Sequence, residues 1–416
     1  MKSHSLQKNI LTAIAVIFIL VGALANQWVL VKLFDPDGTI DSFANRAAVW
    51  IFDIVMIFSG IFIFRHREKR LNMVLVSRGI AVVIIGLCLG EIILRIGIAA
   101  GVPWFRNPDL YADWSSSDEY WKLTNLWQGE QIDRELIDPQ LGWAPRKTSA
   151  NPLGVAAQEA YTPRFDKPAI LFYGDSFVYG NTGLSERIPE QLRILLKNTQ
   201  QVYNYGVRGY GLDQIFLRIK QSYPLFEKPT IVVGLLTTDI DRCVLEVRSG
   251  QKPYFLVEDN TLFLKGVPID LPFSEWIKVH PPQIKSYLLS ALNNKSYMFL
   301  ETMGLVPGRR QQEKEQIASL LIEALSEMTQ KEKIPLVFVV FYPEQEIHKT
   351  TWREKLLSEE LTKRNIPFVD VKQLFLKEIS DGQSALSDFY LPDGHPAARA
   401  NHVIARSVAG VIGRFK

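Results

Sequence analysis

The chain has 416 residues, of which 47% are hydrophobic and 22% are charged, and its formal net charge at neutral pH is +3. This composition excludes a disordered chain, which would lack apolar residues, and a wholly membrane-embedded chain, which would lack charges. The small net charge gives no indication of nucleic-acid binding. Two cysteines, Cys88 and Cys243, cannot form a disulfide framework, and we expect two free thiols.

Three apolar runs lie near the amino end of the chain. They cover residues 10–25 with an apolar extension to residue 30, residues 47–64 and residues 79–100. Each is long enough, at roughly 17 to 25 residues, to cross a bilayer as a helix. A cleaved signal peptide is the alternative for the first run, but the chain stays apolar beyond its small-residue site and two further runs follow. We predict a region of three transmembrane helices over residues 1–101.

The loop between the second and third runs sets the predicted orientation. It reads RHREKR and contains four basic residues, Arg65, Arg67, Lys69 and Arg70. Basic loops stay in the cytoplasm, so this loop and the amino terminus are predicted to be cytoplasmic. We therefore expect a multi-pass protein of the cytoplasmic (inner) membrane, with everything after the third span outside it.

Two charged residues, Glu91 and Arg95, lie inside the third run. Because they are four residues apart, they share one face of a helix and can form an ion pair. Charges inside a membrane span are candidates for a functional role. The alternative is a mutually neutralising pair that reaches the membrane interface.

The soluble part begins with a linker or lid region, residues 102–165, in which aromatic and polar residues show little periodicity. From residue 166 to the carboxyl end, short apolar runs alternate with helical patterns, which predicts a doubly wound parallel sheet of the flavodoxin-like α/β type. The predicted strands are 169–173, 201–205, 230–236, 335–341 and 367–371, and the predicted helices are 186–197, 212–223, 309–331, 352–364 and 396–413. A long insertion, 242–308, follows the third strand and contains a β-hairpin that turns at residues 258–261.

Ligands of an open parallel sheet bind beyond the carboxyl ends of its strands. The first predicted strand runs directly into Gly174-Asp175-Ser176, and Asp393 and His395 precede the last helix. A serine becomes a strong nucleophile when a histidine takes its proton, and a carboxylate can orient that histidine. Order and placement therefore make Ser176, His395 and Asp393 candidates for one site, although His280, His348 and His402 are rival histidines.

The soluble part resembles the SGNH (GDSL) hydrolase superfamily in three short blocks. These read ILFYGDSFVYG at 170–180, NYGVRGYGLDQ at 204–214 and DGHPAARANHVIA at 393–405. The resemblance implies a flavodoxin-like fold, Ser176 as nucleophile and oxyanion donor, Gly209 as second oxyanion donor, His395 as base and Asp393 as its orienting acid. Two departures are visible: Thr238 stands where the family has an oxyanion-binding asparagine, and the usual Asp-x-x-His is contracted to Asp-x-His.

The resemblance implies an esterase or an O-acyltransferase that acts on O-acyl, mainly acetyl, esters of a cell-surface or exported glycan. Membrane-anchored relatives of this type sometimes act beside a membrane-bound O-acyltransferase, which is therefore a candidate partner. Two alternatives remain: a non-catalytic SGNH-like domain that binds glycan or an assembly partner, and a lipid-directed esterase. We expect no metal and no cofactor, because the sequence has neither metal-ligand spacing nor a phosphate-binding glycine loop.

Overall fold

The computed structural model of the protein describes residues 2–24, 43–67, 73–129, 136–156, 163 and 168–415. The predicted extension of the first span beyond residue 24, residues 68–70 of the basic loop and parts of the predicted linker lie outside the described residues. The chain divides into two compact units, Met1–Gly90 and Glu91–Lys416.

The amino-terminal helices coincide with the three apolar runs. They are α1 (Lys2–Leu24), α2 (Phe43–His66) and α3 (Met73–Ala99), of which α3 continues into the second unit. Helices α1 and α2 approach closely at Gly60, where a Cβ atom would lie 2.6 Å from the side chain of Ile19. Among the side chains that the structure describes, one stretch, Ala81–Ala99, is long and apolar enough to cross a membrane, and Lys8–Ala23 is a shorter apolar helix. The topology of three spans thus stays a prediction.

A five-stranded parallel sheet forms the centre of the second unit. Its strands are β3 (Ala169–Gly174), β4 (Gln201–Gly206), β5 (Thr230–Leu236), β8 (Leu336–Phe341) and β9 (Phe368–Asp370), and their spatial order is β4-β3-β5-β8-β9. In this order the chain starts at β3, adds β4 on one side and continues on the other, which is the flavodoxin-like arrangement. Every residue of β3 and β8 is buried, and so is β5 after its first residue. Burial on both faces explains their unbroken apolar runs.

The register brings the carboxyl ends of the central strands together. Gly174 pairs with Gly206 across β3 and β4, and Tyr173 pairs with Val233 across β3 and β5. The switch point of the topology therefore lies between β3 and β5. The segments that follow β3, β4 and β5 emerge side by side at this edge, where such folds bind ligands.

Helices cover both faces of the sheet. Five of them agree with the predicted segments: α6 (Ile188–Leu195), α7 (Leu212–Ser222), α10 (Gln311–Glu332), α11 (Trp352–Lys363) and α13 (Ala398–Ile412). Two more, α5 (Ser176–Tyr179) and α12 (Val371–Ser380), were not predicted. In α7, Leu212, Ile215 and Ile219 are fully buried while Lys220 is exposed, so its apolar stripe faces the core.

The segment before the sheet contains more structure than its weak periodicity indicates. It contains α4 (Asp118–Gln128) and the paired strands β1 (Ile137–Asp138) and β2 (Gly142–Trp143). The insertion contains the antiparallel hairpin of β6 (Tyr254–Glu258) and β7 (Thr261–Lys265), then α8 (Phe273–Val279) and α9 (Tyr287–Thr302). Cys88 and Cys243 are both free thiols, as expected.

Candidate active site

Ser176 stands at the first position of α5, directly after β3. The turn that carries it folds back tightly over the sheet, because a Cβ atom at Gly174 would lie 2.4 Å from Val178 and 2.5 Å from the carbonyl oxygen of Gly234. Asp175 is fully buried and accepts the backbone N–H of Phe177 at 2.8 Å. We call residues 174–179 the nucleophile turn.

His395 meets Ser176 across the edge of the sheet. Its Nε2 lies 3.0 Å from the Ser176 Oγ, a hydrogen-bond distance. The imidazole also packs against the Phe177 ring, with 5.4 Å between the ring centroids. The structure therefore brings together two residues that are 219 positions apart in the chain.

Asp393 contacts the same histidine on its other side. Its Oδ1 lies 3.1 Å from the His395 Nδ1 and accepts the backbone N–H of His395 at the same distance. The ring N–H does not point at this oxygen, so Nδ1 has no aligned acceptor among the described residues. The Asp393 side chain is 53% exposed. We call residues 391–396 the base turn.

Asn181 is a contact of Asp393 that the sequence did not indicate. Its amide donates to the Asp393 Oδ2 at 3.0 Å, and the Arg208 guanidinium donates to the Asn181 Oδ1 at 2.7 Å. The backbone N–H of His395 is the main cause that lowers the pKa of Asp393 below 3.8. Burial opposes this shift, while the Asn181 amide and the His395 ring add to it. The carboxylate is therefore held ionised.

Arg242 was also missed, and it connects the three segments that reach the edge of the sheet. Its NH1 donates to the Asp175 Oδ2 at 3.1 Å, to the Asp239 Oδ1 at 2.5 Å and to the Tyr210 carbonyl at 2.6 Å. Burial raises the pKa of Asp239 well above 3.8, and the nearby Asp175 carboxylate adds to this, against the Arg242 guanidinium. The sequence did offer one signal for this contact: Arg242 follows Asp239 by three positions, in the segment TTDIDR at 237–242.

The oxyanion candidates lie on the loops after β4 and β5. Gly209 has a φ of +80°, which favours glycine, and it directly precedes Tyr210, whose carbonyl Arg242 binds. Thr238 lies in the 3₁₀ turn Thr237–Asp239 and is nearly buried. Apart from bonds within helices and strands, the backbone N–H groups of Ser176 and Gly209 donate to no backbone carbonyl in the described part of the chain. Their roles as oxyanion donors remain predictions.

Two cavities are lined by residues of the loops around Ser176 and His395. One, of about 410 Å³, is lined by polar and aromatic side chains, including Trp114, Phe177, Thr238, Glu344, Glu346 and Asp393. The other, of about 390 Å³, lies beside Tyr179, Val207 and Arg208.

The remaining predicted residues lie apart from this site. Glu91 and Arg95 form an ion pair at 2.7 Å and contact the start of α9. His280 and His402 contact Trp276 and Gln191, and His348 is exposed. Among the described residues, no group of three or more His, Cys, Asp or Glu side chains could hold a metal ion.

No protein-family model and no curated protein sequence matches the chain. Similar solved structures include a member of the lipolytic protein G-D-S-L family from Veillonella parvula, which is 14% identical with a TM-score of 0.32; the match covers 59% of this chain and 98% of that one. An acetyl xylan esterase from Geobacillus stearothermophilus is 12% identical, with a TM-score of 0.35 and coverage of 59% and 94%. The esterase EstA from a Pseudoalteromonas species is 10% identical, with a TM-score of 0.33 and coverage of 60% and 98%.

The first of these matches bears the G-D-S-L name of the superfamily that the three sequence blocks resemble, and the other two are esterases. At such identities and TM-scores, however, the likeness carries no argument about fold or activity. The order of the five strands defines the fold of the second unit, and the contacts between the nucleophile turn and the base turn define its candidate site.

Proposed function

We propose that the protein is a membrane-anchored serine esterase or O-acyltransferase of the SGNH type, acting on O-acyl esters, acetyl esters in particular, of a cell-surface or exported glycan. One observation carries the proposal. A serine at the carboxyl end of the first sheet strand lies 3.0 Å from a histidine, and that histidine is in contact with a carboxylate. This combination of groups is the one that nucleophilic acyl transfer requires.

In the proposed reaction, the Ser176 Oγ attacks the ester carbonyl while the His395 Nε2 takes its proton. Asp393 orients the imidazole and stabilises its charged form. The backbone N–H groups of Ser176 and Gly209, with the Thr238 hydroxyl, hold the oxyanion of the tetrahedral intermediate. His395 then returns the proton to the departing sugar oxygen, which leaves an acyl group on Ser176. Water or a second sugar hydroxyl attacks this acyl-enzyme.

The cavity of about 410 Å³ that Asp393 lines supports a sugar as the alcohol part of the ester. Its lining combines an aromatic side chain, Trp114, with the carboxylates of Glu344 and Glu346. Hydroxyl groups of a sugar can donate to carboxylates, and an apolar sugar face can pack on an aromatic ring. The apolar helices before the second unit support a membrane anchor, of which Ala81–Ala99 meets the length and composition of a span.

The proposal is tested by incubating the purified full chain in detergent with an O-acetylated oligosaccharide and measuring the acetate that is released. We expect release with the wild-type chain and a loss of at least about a thousandfold with Ser176→Ala. Equal rates for the two chains would contradict a serine mechanism. Absence of release by a folded wild-type chain, with and without acceptor, would favour the non-catalytic alternative.

The same assay separates hydrolysis from transfer. When an unacetylated oligosaccharide is added, a transferase converts it to a product heavier by one acetyl group, whereas a hydrolase releases only acetate. Mass spectrometry of the acceptor distinguishes the two. A transferase can depend on a membrane-bound partner for its acetyl donor. For that case the assay is repeated with an activated acetyl ester as the donor, which we expect the chain to use without the partner.

A further inference from the structure

Helix α9 in the insertion contacts the protein through polar and aromatic side chains and exposes several apolar ones. On its inner side, Asn294 is almost fully buried and donates to the carbonyl of Asp109 at 3.0 Å. The ring of Tyr287 packs edge to face against the ring of Tyr111, with 4.9 Å between centroids. The helix is therefore seated on the second unit by polar and aromatic contacts.

The outer side of α9 has the opposite character. At 100° per residue, positions 289, 292, 296, 300 and 303 fall on one side of the helix. Leu289 is 59% exposed, Leu292 52% and Met303 46%, and Leu300 is also exposed. Ser296 is the one polar residue among these five. A surface helix that faces water has the reverse pattern, as α7 does, so water is a poor environment for this face.

The start of α9 is held by the two charged residues of the third apolar run. The Glu91 carboxylate accepts the Ser286 hydroxyl at 2.9 Å and the backbone N–H groups of Tyr287 and Leu288 at 3.2 and 2.8 Å. Arg95 donates to Glu91 and, at 2.9 Å, to the carbonyl of Lys285. A carboxylate at this position satisfies N–H groups that the first turn of a helix leaves free.

This contact fixes the level of α9 relative to the apolar helix. Glu91 lies within the apolar stretch Ala81–Ala99, eight residues before its end, which is roughly 12 Å along the axis at 1.5 Å per residue. Ile92, Ile93 and Ile96 of the same stretch are exposed. If this stretch crosses the membrane, the first turn of α9 lies at the depth of the outer leaflet.

We propose that α9 is an interfacial helix, which lies in the outer surface of the membrane with Leu289, Leu292, Leu300 and Met303 among the lipid chains, and that Glu91 and Arg95 hold it at that level. The inference rests on the membrane anchor of the proposed function. It gives the ion pair a structural role at the membrane, instead of a role in the reaction. We choose a lipid surface as the partner of the apolar face, because the contact with Glu91 joins α9 to a helix that is apolar enough to span a membrane.

The test places a fluorescent label on α9 in lipid vesicles. The full chain with Cys88→Ser provides the background, since Cys243 is buried and does not react in the folded protein. Leu292→Cys is compared with Lys295→Cys, an exposed control three residues along the same helix. Both are reconstituted into phosphatidylcholine vesicles that contain lipids spin-labelled in their acyl chains. We expect these lipids to quench the label at 292 severalfold more strongly than the label at 295.

The outcomes separate this inference from the anchor on which it rests. If the chain floats with the vesicles but the label at 292 is quenched only by a water-soluble quencher, α9 is not interfacial while the anchor stands. If the chain does not float, the anchor is wrong and the inference falls with it. If the label is shielded from both quenchers and the chain is dimeric, a second copy covers the face and the inference is overturned.

A further variant tests the role of the ion pair. In Glu91→Ala the first turn of α9 loses its acceptor, and we expect lipid quenching at position 292 to fall towards the value of the control position. Glu91→Gln, which retains one acceptor oxygen, is expected to lie between the two. The acetate-release activity reports that the second unit stays folded. Unchanged quenching in Glu91→Ala would overturn the holding role of Glu91.

Discussion

The nucleophile turn and the base turn meet at one hydrogen bond, but different forces hold them in place. The nucleophile turn lies in the core, where Asp175 is fully buried and bonded to Phe177 and Arg242. The base turn lies at the surface, where Asp393 is half exposed and bonded through local backbone contacts and Asn181. Substitutions around the first turn should therefore cost stability, whereas substitutions in the second should cost geometry and rate.

The base itself gives the largest expected effect. His395→Ala removes the group that is proposed to take the Ser176 proton, and we expect kcat to fall by about 10⁴- to 10⁶-fold. Because His395 is on a surface turn, the unfolding temperature should change little. Kinetics on an activated acetyl ester and thermal unfolding of the same preparation check both parts. A loss below tenfold would show that another residue acts as the base.

Arg242 tests the buried side of the comparison. Arg242→Met leaves Asp175 and Asp239 without their shared cation, and we expect the free energy of unfolding to fall by about 3 to 5 kcal/mol. Arg193→Met is the control, because Arg193 pairs with Glu190 on the surface of α6 and should contribute about 1 kcal/mol or less. Urea unfolding in detergent measures both. Equal effects of the two substitutions would contradict the structural role of the buried Arg242 contacts behind the nucleophile turn.

Thr238 lines the same cavity as Phe177 and Asp393, and it stands where the superfamily that the chain resembles has an asparagine. If its hydroxyl holds the oxyanion, the nearly isosteric Thr238→Val should lower kcat by about 10²- to 10³-fold, whereas Thr238→Asn should retain activity. KM should change little, because an oxyanion donor acts mainly in the transition state. An unchanged kcat in Thr238→Val would leave two donors in the oxyanion hole.

Asn181 gives the smallest expected effect, and the size of that effect depends on pH. The pKa of Asp393 lies below 3.8 in the folded protein, so its contacts add stability above that pH and lose it as pH falls through the lower value. In Asn181→Ala one of these contacts is missing, so the deficit in unfolding temperature should be present at pH 6 and shrink below pH 4. A deficit that grows on acidification would contradict the assigned direction.

Much of the fold was readable because the buried strands are continuous apolar runs. The strand predicted over 169–173 is observed as Ala169–Gly174, and the strand predicted over 230–236 has the same bounds in the structure. Helix α12 was missed because it follows β9 without a break. Asp370 ends the strand and also caps the helix, accepting the backbone N–H of Gln373 at 3.1 Å. Because Asp370 is both the last residue of β9 and the cap of α12, no loop residues in the sequence mark the boundary between strand and helix.

The candidate site, like the fold, could be predicted in part from the sequence. Ser176 and His395 could be paired because each adjoins a recognisable element, the first strand and the last helix. Arg242 and Asn181 could not, because their contacts depend on how three loops fold over the edge of the sheet. The outward apolar face of α9 was also not evident, since a hydrophobic stripe gives no indication of which side it faces until the packing is known.

The most direct test of the central claim is covalent labelling of the full chain by a fluorophosphonate, with intact mass as the readout. We predict that the wild type gains the mass of one phosphonyl group and that Ser176→Ala gains none. His395→Ala, which lacks the base, should react far more slowly than the wild type. Labelling that persists in Ser176→Ala, or a folded wild type that does not react, would contradict an activated serine at the end of β3.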